Sequence, residues 1–172
     1  MKKFSLMSLV FSCLLLFYSC TEEKSVAPTE SSNVTLLKSS GPSVNGQATV
    51  DLGGGSIQIF EFHAREKDGV VIGSVQVNAK YAGVIAHGIV DCMKIINGNE
   101  AILCGYYNNV VKWGPIPQGQ YYFWLHVVDN GEGKGSTDEF IDYFNTSPYS
   151  CDDNPSGGNT FSVINGNVQV KP

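Results

Sequence analysis

Positive charge is scarce in this chain: 11 Lys and Arg stand against 16 Asp and Glu in 172 residues, a formal net charge of -5. A nucleic-acid binder needs a basic patch to displace counterions from phosphates, so no nucleic-acid partner is expected. The same deficit excludes electrostatic docking on an anionic lipid surface. Charge of either sign is thin, at 16% of residues against roughly 25% in soluble domains. No apolar run reaches the roughly 20 residues of a membrane-spanning helix; the N-terminal one, Phe4 to Tyr18, falls short. Missing too are a Ser-His-Asp elbow, a phosphate-binding glycine loop, a dinucleotide fingerprint and the EF-hand spacing.

What is present begins with an address. Met1-Lys2-Lys3 is a basic start, and the almost wholly apolar Phe4 to Tyr18 after it reads as a secretory signal. Its end, Leu16-Phe17-Tyr18-Ser19-Cys20, resembles the lipobox of bacterial lipoproteins, with Phe17 departing from the Leu usual there. Val10-Phe11-Ser12-Cys13 is similar, but more apolar residues follow it, whereas polar Thr21-Glu22-Glu23-Lys24 follows Cys20. The resemblance implies lipidation of Cys20 by palmitate-type chains, each buried methylene adding about 0.8 kcal/mol of anchoring. It places the chain in the bacterial cell envelope, as an outer-membrane lipoprotein facing the periplasm or the cell surface. The expected organisation is a signal peptide over 1–19, lipidated Cys20 and a Ser/Thr/Pro-rich flexible tether over 20–45, and an all-β domain over 46–172.

From Gly46 onward apolar residues alternate instead of recurring every three or four. Lys67-Asp68-Gly69-Val70 carries the Asp-Gly signature of a type I′ hairpin. Pairing Lys67 with Val70 sets Phe62 against Val75, Phe60 against Val77, Glu61 against Gln76 and His63 against Ser74. Apolar then meets apolar and polar meets polar, as a half-buried antiparallel pair requires. A second hairpin turns at Asn97-Gly98; pairing Ile96 with Asn99 opposes Cys92 to Leu103 and places Ala86, Gly88, Val90 and Cys92 on the core face. Further strands are read at 47–52, 121–128, 139–144 and 167–171. About eight antiparallel strands in a single domain make a meander β-barrel, with a β-sandwich as the alternative.

Beyond Cys20, the mature part holds Cys92, Cys104 and Cys151. A three-residue loop at Gly98 would set Cys92 opposite Cys104. The two-residue loop puts them on opposite faces and leaves Cys92 free for Cys151, the pairing favoured here, with Cys104 as an odd thiol. Three cysteines as metal ligands lack the close spacing of a zinc knuckle. His63, His87 and His126 lie on three strands without motif spacing, and separate surface histidines are the plain reading.

Residues 129–153 hold seven acids, Asp129, Glu132, Asp138, Glu139, Asp142, Asp152 and Asp153, against Lys134 alone. Oxygen ligands and glycines between Asp129 and Asp138 suit calcium, with Asp129, Asn130, Glu132 and Asp138 as its ligands. A glycine-rich hairpin loop explains the same residues with no ion and no cofactor. Tyr106, Tyr122, Trp124 and His126 fall on the polar face, where exposed rings offer platforms for a glycan or protein; packing under the chain's own loops is the plainer reading of the same rings.

Ala82-Gly83, His87, Val90-Asp91-Cys92, Asn97-Gly98-Asn99-Glu100-Ala101, Val127 to Gly133, Asp138 and Asn165 to Val170 together resemble a group of small secreted bacterial β-proteins. The likeness covers roughly residues 46–172. It implies the all-β fold and supports a Cys92–Cys151 disulfide, since the group has a cysteine at the first position and one near the second. It carries no catalytic residue, and Cys104 and the lipobox depart from it. The expected function is an envelope-anchored, non-catalytic binding module for a glycan or protein. The alternatives are a barrel-mouth enzyme using Asp129, Glu132, Asp138 and His126, or a small-ligand carrier.

Overall fold

The computed structural model describes residues 41–132, 137–156 and 160–172. The signal, Cys20 and most of the tether lie outside the described residues. Among those described, nine strands form one antiparallel sheet and there is no helix. They are β1 (Ser43–Asp51), β2 (Ile57–Lys67), β3 (Val70–Ala79), β4 (Val84–Ile95), β5 (Glu100–Trp113), β6 (Tyr122–Val128), β7 (Glu139–Asn145), β8 (Phe161–Ser162) and β9 (Asn165–Lys171). The order β8-β7-β6-β5-β4-β3-β2-β1-β9 is a meander whose last strand returns beside its first. One sheet curled into a half-barrel, and not two stacked sheets, is therefore the architecture.

The first hairpin has the register that alternation demands, with Phe62 on Val75, Phe60 on Val77 and Lys67 on Val70. Asp68 (φ 55) and Gly69 (φ 75) both take the left-handed conformation of a type I′ turn. The curl follows from the core: Phe60 on β2 meets Phe140 on β7 with ring centroids 4.4 Å apart, although four strands separate β2 from β7 in the sheet. Phe60, Phe123, Phe140, Leu103 and Leu125 are all fully buried there. Sequence alternation placed each of these but Phe140.

Three readings need correction. β1 starts at Ser43, inside the stretch read as tether, because Ser43 to Thr49 pair with β9 on one side and β2 on the other. β5 runs on as far as Trp113, well past the Leu103 that the second hairpin's pairing named, and the short β8 carried no periodic signal. The β4–β5 hairpin closes with three loop residues: Ile96 N–H donates to Glu100 O at 2.8 Å, and Cys92 faces Cys104. A bulge between Val90 and Cys92 then restores the expected pairs Val90–Gly105 and Gly88–Tyr107. Its physical effect is to break alternation at Asp91. Val90 points inward at 1% exposure, whereas Cys92 packs outside with Cys104 and Trp124.

Candidate functional site

Strand order assembles the outer face into rows. One runs Gln169, Asn45, His63, Ser74, Ile89, Tyr106, Tyr122 and Asn145 across eight strands. The next runs Asn167, Gln47, Glu61, Gln76, His87 and Asn109. Where the two rows cross β1 to β4 they border an open groove of about 460 Å³, lined by Gln47, Glu61, His63, Ser74, Gln76 and His87. Their amides, carboxylate, hydroxyl and imidazoles are short, directional hydrogen-bonding groups on a rigid sheet. The Glu61–Gln76 and His63–Ser74 neighbours were legible from the first hairpin; Gln47 and His87 join them only once β1 and β4 are known to flank it.

Tyr106 and Tyr122 continue the first row, half-buried, with ring centroids 6.4 Å apart in an edge-on contact. Trp124 does not form a platform. It is 4% exposed, stacked edge-on with Tyr143 at 5.7 Å and covered by Tyr149 and the Cys92–Cys151 bridge. The chain's own 146–156 segment does the covering, and the indole Nε1 is left without a hydrogen-bond partner. His126 stands over Trp124 and binds Glu100 Oε2 through Nε2 at 3.3 Å.

The acidic loop does structural work along one seam. β9 pairs with β1 on one side only, so Val168 and Val170 present their N–H groups to the open edge. Asp138 Oδ2 accepts from Val168 N at 2.7 Å, and Asp129 Oδ2 accepts from Val170 N at 3.0 Å. The remaining oxygens are also engaged: Asp138 Oδ1 by Asn130 N at 3.0 Å and Asp129 Oδ1 by Gly131 N at 2.9 Å. Glu132 Oε1 accepts from Asn167 Nδ2 at 2.8 Å, and Asn130 Nδ2 donates to Thr137 O at 2.7 Å. Val163 N bonds Asp138 O, and Ile164 N bonds Thr49 O, completing the seam. A cation wants carboxylates turned toward one point; these are turned toward separate amides, and the calcium reading gains no support from them.

Other charged groups are dispersed. His63, His87 and His126 stand on β2, β4 and β6, never on adjacent strands, and His126 lies opposite Ile102 of β5, seven residues along that strand from the Asn109 opposite His87. Asp142, on the inner side of β7 near Tyr107, is pushed by burial up to about 6. Burial, then the nearby Asp142 charge, pushes the Tyr107 hydroxyl well above its usual range. Asp152 is held low by its hydrogen bond to Lys94 Nζ at 2.6 Å.

The disulfide joins Cys92 to Cys151, with Cα atoms 6.1 Å apart, as expected; the reason differs. Cys92 reaches Cys151 while also facing Cys104, so all three sulfurs lie within 4.8 Å of one another. Cys104 is the free thiol among the described cysteines, fully buried and pushed up to about 12 by burial, with Asp91 and Asp153 adding to the effect. Compared with known proteins, the chain matches no family model, no curated protein and no solved structure.

Proposed function

We propose that the chain is a non-catalytic glycan-binding module, held at the bacterial cell envelope by lipid on Cys20. One observation carries the reading: the groove across β1 to β4, whose lining row continues into the Tyr106–Tyr122 pair. A sugar presents hydroxyls around its rim and a weakly apolar face, and it suits planar polar side chains beside aromatic edges. The filled interior favours the outside as the place of binding. Phe60, Phe62, Phe123 and Leu125 occupy the space that a carrier or a barrel-mouth enzyme would need open. The acids considered for catalysis support the same choice, since Asp129 and Asp138 hold β9 amides and His126 holds Glu100. For the anchor, support comes from the lipobox-like Leu16 to Cys20 and the polar residues after it.

The test is retention of residues 38–172 on a glycan array. Wild type should retain a defined glycan class, Glu61→Ala and Gln76→Ala should lose at least tenfold in retention, and Lys112→Ala should not. Wild type retaining nothing, or all variants retaining equally, would remove the site. Labelled palmitate should enter the full chain in an expressing bacterium and be lost in Cys20→Ala; equal labelling of both would remove the anchor.

A further inference from the structure

The three cysteines stand apart from the glycan groove, and their arrangement is unusual for a structural staple. Cys104 Sγ lies 3.9 Å from Cys151 Sγ, a sulfur already in a disulfide. The bulge at Asp91 turns Cys92 onto the same face, directly across from Cys104. Cys151 therefore has two cysteine neighbours, on adjacent strands, and is bonded to one of them. Trp124, Ile102, Tyr143 and Tyr149 pack around the sulfurs and hold the side chains together.

We propose that this cluster is a thiol–disulfide exchange site in which the bridge migrates from Cys92–Cys151 to Cys104–Cys151. Cys104 gives its proton to water, and its thiolate attacks Cys151 Sγ. A Cys104–Cys151 bond forms, the Cys92–Cys151 bond breaks, and the electron pair leaves on Cys92 Sγ, which takes a proton from water. One thiol and one disulfide become one thiol and one disulfide, so no outside oxidant or reductant enters. The product exposes a new nucleophile: Cys92 is half-buried at the outer surface, whereas Cys104 is sealed. Exchange thus converts a protected thiol into one that an external disulfide or electrophile can modify.

The groups facing the sulfurs set its pace. Asp91 and Lys94 come from β4, His126 from β6, Tyr143 from β7, and Tyr149, Asp152 and Asp153 from the loop. Lys94 is paired with Asp152, so the nearest acids oppose a thiolate at Cys104, as does burial. Exchange is accordingly slow at neutral pH and accelerates as pH rises.

The experiment incubates the oxidised protein at neutral pH and at about pH 10, quenches with acid, alkylates with a maleimide under denaturing conditions and maps the peptides by mass spectrometry. A Cys104–Cys151 peptide together with alkylated Cys92 should appear and grow faster at high pH. Cys92→Ser isolates the second state: it should form Cys104–Cys151 and leave neither of those two cysteines open to alkylation. The inference fails if Cys104 alone is alkylated in wild type at every time, or if folded Cys92→Ser keeps both thiols. Neither outcome bears on glycan retention, so this site and the proposed groove stand or fall separately.

Discussion

Asp138 Oδ2 accepts the backbone N–H of Val168 at 2.7 Å, and this buried bond ties the loop between β6 and β7 to the open edge of β9. A carboxylate here does what a neighbouring strand would otherwise do. It satisfies an edge amide, and its other oxygen simultaneously holds Asn130 N at 3.0 Å. The edge of the sheet is thereby blunted without full closure.

Asp138→Asn keeps the shape but offers one acceptor where two amides now bond. One N–H is left facing an NH₂ group, at a cost of about 1–3 kcal/mol. Urea unfolding should show a lowered midpoint for Asp138→Asn and almost none for Glu132→Gln, whose bond to Asn167 is exposed. Equal, negligible effects of the two would mean that the seam is not held by Asp138.

Asp142 makes stability depend on pH. Its carboxyl sits at about 6 in the folded protein, above the ordinary carboxylate value, so the folded state keeps a proton that the unfolded chain has lost. This stabilisation is complete in acid below that ordinary value and disappears as pH rises through about 6. Asp142→Asn should flatten this slope and raise stability at neutral pH by up to about 3 kcal/mol. Thermal midpoints measured across the window, in wild type and variant, give the answer; parallel curves would contradict it.

Cys151→Ser removes a bridge spanning 59 residues. The chain-entropy argument gives a loss of about 4 kcal/mol, and the loop should lift from the indole. Trp124 fluorescence should shift to the red in the folded variant, because Tyr149 and residue 151 no longer cover it. An unchanged spectrum would mean that the loop stays down unaided.

Much of the fold was written in alternation. The β2–β3 register and the inward set Leu103, Phe123, Leu125 and Val127 need only a period of two and an Asp-Gly turn. Cys92 was misplaced because a bulge shifts the period by one residue, and nothing local at Asp91 announces it. The role of Asp129 and Asp138 was hidden for another reason. Their density was plain in the sequence, but their amide partners sit on β9, 41 residues from Asp129 and 30 from Asp138, and are reached only after the sheet curls. Likewise the groove joins residues from four strands whose order no hairpin reveals alone.

Gly105 permits the close approach of β5 to β4 and to the Phe123 ring. A Cβ on it would collide with Ile89 O, a backbone atom held by the sheet, and come within 2.8 Å of the Phe123 ring. Gly105→Ala should therefore lower stability by about 1–3 kcal/mol, the usual cost of overpacking, and reduce soluble yield. A variant as stable as wild type would show that β4 and β5 can separate freely here.

The most direct test of the binding account is amide chemical-shift mapping on isotope-labelled residues 38–172, titrated with the glycan that the array retains. Shifts should concentrate at Gln47, Glu61, His63, Ser74, Gln76 and His87 and extend to Tyr106 and Tyr122. Shifts confined to the Asp129–Asp138 seam, or to interior residues such as Phe60 and Leu125, would contradict it.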